Sequence, residues 1–180
     1  MTKLLSTEQM AEFANSGCLF FEGLIDEDIN KEFLNDIGHT DIDDVDNIQH
    51  YFQNIKSSSS IPRIPAGTAL KDAYPLNSPL EKIFKNEIVS GAINSLVGSK
   101  TVVDHQFLHL TFPSKYYAKA NQRQMSQVNH QDSTIDPRTT FDIQLFYFPT
   151  AVTKEMGGTR YIPGTHLRIV NEMGIAKYQN

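Results

Sequence analysis

At 180 residues, 39% hydrophobic and 21% charged, the chain has enough apolar side chain for one globular core and too little length for two, so a single domain over 1–180 is expected. A net charge of −5 excludes the basic footprint of a nucleic-acid binder. No apolar run reaches bilayer length, the opening Met1–Gln9 turns polar too early for a signal peptide, and the lone Cys18 leaves no internal disulfide; a cytoplasmic protein without membrane or nucleic-acid partners is expected.

Ser6 and Gln9 have the spacing of a capping box, and Met10, Phe13 and Ala14 recur at helical spacing until Ser16-Gly17 supplies a stop. Cys18 to Phe21 reads as a buried strand. Asp26 then caps a second helix whose Ile29, Phe33 and Ile37 share one face. From Gly38 to Pro65 no regular element is expected. The cluster Asp41, Asp43, Asp44 and Asp46 lacks the glycine and the closing glutamate of a calcium loop and reads as a solvated loop, with Ser57–Ser60 as a flexible connector.

Ser78-Pro79-Leu80-Glu81 combines a capping residue, a first-turn proline and a glutamate at the box position, and so marks a helix start. The pattern Leu80, Ile83, Phe84, Ile88, Ala92, Leu96 carries the helix to Gly98, with a break near Asn86 or Gly91. Beyond it, Thr101–Val103, Phe107–Phe112, Phe141–Phe148 and Thr159–Ile162 are β-branched and aromatic runs that read as strands. Pro163-Gly164 reads as a type II turn. Helices first and strands later predict an α+β fold, mainly β in its C-terminal half.

The chemistry-bearing residues lie in that half. His130 and Asp132 are two apart, which in a strand places both side chains on one face with Cα atoms about 6.6 Å apart, so both can reach one cation. An imidazole, a carboxylate and one further histidine compose the facial triad that holds non-haem Fe(II) with positions left open. Such a triplet arises readily by chance, and context has to carry it. His105 and His109 would lie about 13 Å apart in a strand and read as core or site-lining residues rather than a metal pair. Cys18 has no nearby catalytic signature and reads as core.

The context is Phe141–Phe148 followed by Gly157-Gly158-Thr159-Arg160-Tyr161-Ile162-Pro163-Gly164-Thr165-His166, downstream of His130-Gln131-Asp132. This succession resembles the phytanoyl-CoA dioxygenase family, in which a His-x-Asp triplet, an aromatic strand and a Gly-Gly to Pro-Gly-Ser/Thr-His segment follow in that order. The opening from Leu5 to Ile25 is similar to the family's helix-then-strand start; residues 38–98 contribute little to the resemblance.

The resemblance implies a double-stranded β-helix, jelly-roll or cupin-like, with N-terminal helices. It implies Fe(II), 2-oxoglutarate as cosubstrate and O2, with hydroxylation of a small-molecule substrate coupled to formation of succinate and CO2. His130 and Asp132 match the first two metal ligands, Gln131 a position that helps hold 2-oxoglutarate, and Phe146 an aromatic lining the cosubstrate pocket. The carboxylate of Asp132 implies hydroxylation rather than halogenation. His166 matches the turn histidine, which is not the distal ligand. In the family that ligand and the cosubstrate arginine lie beyond this turn; Ile169–Asn180 contains no histidine, and neither Arg160 nor Arg168 matches the arginine. The expectation is therefore a family member that stops before the distal ligand. Two alternatives stand beside it: a non-catalytic β-helix binding module, and a cupin-like domain that uses His166 as third ligand.

Overall fold

The computed structural model describes residues 2–39, 61–110, 142–156 and 158–167. Among them, in chain order, are α1 (Thr7–Ser16), α2 (Glu27–Asp36), β1 (Thr68–Ala69), a 3-10 turn (Leu70–Asp72), α3 (Pro79–Lys85), α4 (Glu87–Val97), β2 (Val102–Val103) and a second 3-10 turn (Lys154–Met156). The chain gathers into two compact units: the first takes Met1–Leu5, Phe21–Leu110 and Leu145–Ala151, the second the remaining segments.

The first unit holds the core. Phe33 of α2, Ile37 just after it, Ala73, Pro79 and Ile83 of α3, and Val89, Ala92 and Ile93 of α4 are buried, as α2 packs on α3 and α3 on α4. The α3 start forms as its residues dictate: Ser78 Oγ accepts from the Glu81 amide at 3.3 Å, and Pro79 occupies the first turn, where no amide donor is needed. The Glu81 carboxylate accepts from the amide of Asn77 at 2.6 Å, one residue before the expected partner. Its other contact is Lys85, 2.6 Å away.

The helix breaks at Asn86, whose extended backbone ends α3 while its side chain accepts from the amides of Ile88 and Val89 at 2.9 and 3.3 Å to begin α4. Gly91 lies within α4 without breaking it. It makes room for Lys3, whose carbonyl oxygen lies 1.8 Å from where a Cβ would stand. The Lys3 amide donates to Glu87 O and the Leu5 amide to Ser95 Oγ, both at 3.0 Å, laying residues 3–5 along the helix.

β1 and β2 pair antiparallel, Thr68 opposite Val103 and Ala69 opposite Val102. β2 falls within the run read from the sequence; β1 does not announce itself there. Four expected strands differ among the described residues. Cys18–Phe21 forms no strand, and Phe20 and Phe21 are exposed. The described parts of the other runs, residues 107–110, 142–148 and 159–162, carry no strand either. Residues 105–110 nevertheless alternate between exposed and half-buried, the rhythm of an extended chain with distinct faces. β-propensity reports how a side chain fits a pleated surface, and a ladder also needs a partner backbone. The acidic loop at 41–46 and the connector at 57–60 lie outside the described residues.

In the second unit, α1 begins with the reciprocal capping box: the Gln9 amide donates to Ser6 Oγ at 3.2 Å and the Ser6 amide to Gln9 Oε1 at 3.0 Å. It ends at Gly17, whose φ of 81° is the left-handed conformation that closes helices.

Candidate functional site

His130, Gln131 and Asp132 lie outside the described residues. Of the sequence motifs, the structure describes two, each within its own unit: the aromatic segment around Phe146 in the first and the Pro-Gly-Thr-His turn in the second.

Phe146 is 57% exposed and stacks on Phe148, ring centroids 6.4 Å apart and planes 9° from parallel. Tyr147 between them faces the other way and is half-buried. Its hydroxyl donates to Asn30 Oδ1 of α2 at 2.5 Å, and its ring meets Phe33 edge-on at 5.2 Å. Burial pushes the Tyr147 hydroxyl up to about 12, so it remains a donor throughout the neutral range. The aromatic run marked this segment as important, but its anchor on α2 needs a contact 117 residues away in sequence, which no local pattern carries.

The turn is built as its dipeptide predicts. Gly164 has φ 76°, and the Thr165 amide donates to Ile162 O at 3.3 Å, the hydrogen bond of a type II turn. The Gly164 amide, left free by that turn, donates to Ser16 O at 2.9 Å and satisfies one of the open carbonyls at the end of α1. Tyr161 packs on Phe20 with ring centroids 5.6 Å apart. The His166 ring lies over Gly17, its Nδ1 2.4 Å from where a Cβ on that glycine would stand, with Phe13 at 6.3 Å.

This placement bears on His166 as a ligand. Nδ1 is buried and, among the described residues, has no hydrogen-bond partner. Metal-ligating histidines nearly always donate their second ring nitrogen to an oxygen that orients the imidazole, and among the described residues none supplies that oxygen to His166. Among the described residues no three His, Cys, Asp or Glu side chains converge as a metal would require.

His105 and His109 are exposed, so of the expected core or site-lining placement the core half does not hold. His105 Nδ1 and Asp104 Oδ2 are 2.8 Å apart at the surface, and the rings of His105 and His109 flank Phe107 at 5.9 and 6.3 Å. Cys18 is half-buried, and burial, aided by the negative charge of Glu12, raises its thiol above the ordinary range, so it is a poor nucleophile at neutral pH.

Compared with known families, residues 13–177 match the model for Phytanoyl-CoA dioxygenase (PhyH). The chain belongs to the phytanoyl-CoA dioxygenase family. The match takes in the His130-Gln131-Asp132 triplet, the Phe146 segment and the Pro-Gly-Thr-His turn, and it agrees with the resemblance carried by those motifs. No curated protein and no solved structure matches the chain. The phytanoyl-CoA dioxygenase family is generally dependent on Fe(II) and 2-oxoglutarate, which makes dioxygenase chemistry the family-level assignment. Among the described residues, no helix is long and apolar enough to cross a membrane.

Proposed function

We propose that this chain is an Fe(II)- and 2-oxoglutarate-dependent oxygenase that hydroxylates a small organic molecule while 2-oxoglutarate is decarboxylated to succinate. One observation carries the reading: the family match over residues 13–177 spans both His130-Gln131-Asp132 and the Gly-Gly to Pro-Gly-Thr-His segment. The donor set fits the metal, since an imidazole and a carboxylate are two of the three ligands of the facial triad that holds non-haem Fe(II).

In this reading His130 and Asp132 hold the metal, Gln131 helps hold 2-oxoglutarate, and Phe146 lines the cosubstrate pocket. Iron and cosubstrate supply the O2-activating chemistry; the protein's part is to orient the cosubstrate and keep bulk water from the reacting centre. The double-stranded β-helix is the scaffold proposed for these ligands, and a cytoplasmic setting accords with the single cysteine.

The test is an anaerobic titration of the chain with Fe(II) and 2-oxoglutarate, following metal-to-ligand charge-transfer absorption. The band is expected in the wild type and absent in His130→Ala; a wild-type chain that binds neither component overturns the reading.

A further inference from the structure

We propose that Tyr147 is a positioning residue for Phe146, anchored on α2 by Asn30 and Phe33; the proposal rests on the oxygenase reading, in which Phe146 borders the cosubstrate. Residues 146–149 alternate, with Phe146 and Phe148 exposed and Tyr147 and Pro149 half-buried, so successive side chains take opposite sides of an extended segment. In an extended segment a one-residue slip would exchange the faces of Phe146 and Tyr147.

Two contacts prevent that slip. The edge-on packing of Tyr147 against the buried Phe33, at 5.2 Å and 76°, holds the ring in place. The hydroxyl bond to Asn30 Oδ1 at 2.5 Å is directional and sets how far the ring reaches towards α2. Asn30 is itself oriented: its Nδ2 donates to Ile25 O at 3.3 Å, which leaves Oδ1 turned towards the tyrosine. With Tyr147 held inward at both ends of its ring, Phe146 and Phe148 are presented together on the opposite face, where they stack. The Asn30–Tyr147 pair thus fixes Phe146 and Phe148 relative to α2.

The experiment measures the dissociation constant of 2-oxoglutarate from the charge-transfer band, and separately the hydrogen exchange of residues 145–151 in the metal-free chain. Tyr147→Phe and Asn30→Leu should each weaken 2-oxoglutarate roughly fivefold, the worth of one net hydrogen bond. Fe(II) affinity should stay unchanged, exchange at 145–151 should quicken, and the double variant should be no worse than either single one. Asn30→Asp, which keeps an acceptor for the hydroxyl but loses the amide held by Ile25 O, should fall between the wild type and Asn30→Leu. Unchanged 2-oxoglutarate affinity in Tyr147→Phe, or equal weakening of metal and cosubstrate together with early melting, overturns the proposal and leaves the oxygenase reading standing. A wild-type chain without the band overturns both.

Discussion

Gly17 carries two demands at once. Its backbone sits at φ 81°, where a Cβ is strained, and the space that Cβ would fill is taken by the His166 ring. Gly17→Ala should therefore cost about 2 kcal/mol in chemical denaturation, strain and displacement together. Paired with His166→Ala, the cost should fall to the strain alone, so the two substitutions should be non-additive. Tyr74 and Tyr147 offer a different measurement: burial pushes both hydroxyls up to about 12. For such groups the folded state favours the neutral form, so their stabilising contribution is complete below the ordinary value of 10 and is lost as pH rises towards 12. Absorbance titration at alkaline pH should show one fewer late-ionising tyrosine in Tyr147→Phe than in the wild type.

Among the elements, the helix ends were the most legible, because caps are local chemistry. Ser6 with Gln9, Ser78 with Pro79, and Gly17 each close or open a helix where the sequence says they should. The buried face was less legible. Read as one helix, residues 80–96 predict an inward stripe through Ile88, Ala92 and Leu96, whereas the buried residues of α4 are Val89, Gly91, Ala92 and Ile93. The helix restarts at Asn86, and a restart resets the phase of the pattern. Gly91 was equally ambiguous: from sequence it could break the helix, whereas in the structure it admits the Lys3 carbonyl. Gly91→Ala should cost about 3 kcal/mol despite its better helix propensity, because backbone must move to accommodate the methyl group. At the start of α3 the Lys85 hydrogen bond, and then the Asn77 amide, hold the Glu81 carboxyl below its ordinary 4.5. A depressed value means stabilisation present above the ordinary pKa and lost as pH falls through the lowered one. The melting temperature of Glu81→Gln should accordingly lie below that of the wild type at pH 7, with the gap closing in acid.

For the whole molecule, the family was legible because its motifs are short, ordered and chemically constrained: a His-x-Asp triplet, then an aromatic run, then Pro-Gly-Thr-His. The match over 13–177 covers them all. The strands were not legible in the same way. Residues 107–110 and 142–148 have strand composition, yet pairing depends on long-range partners that composition does not encode. The third metal ligand is a question at this scale too. With the charge-transfer band established, its loss in His166→Ala, with the fold intact by circular dichroism, would assign that ligand; given a ring nitrogen packed on Gly17 without an orienting partner among the described residues, the expected result is that the band persists.

Asn86 ends α3 and caps α4 with no residue to spare between them. Most helix connections are surface loops that absorb insertions and deletions at little cost. Here one added or deleted residue would rotate α4 by about 100° relative to α3 and carry Val89, Ala92 and Ile93 out of the core. The corner should therefore behave as a length gauge: related chains can vary the identity of residue 86 among good caps, but their spacing from Ile83 to Val89 should not change.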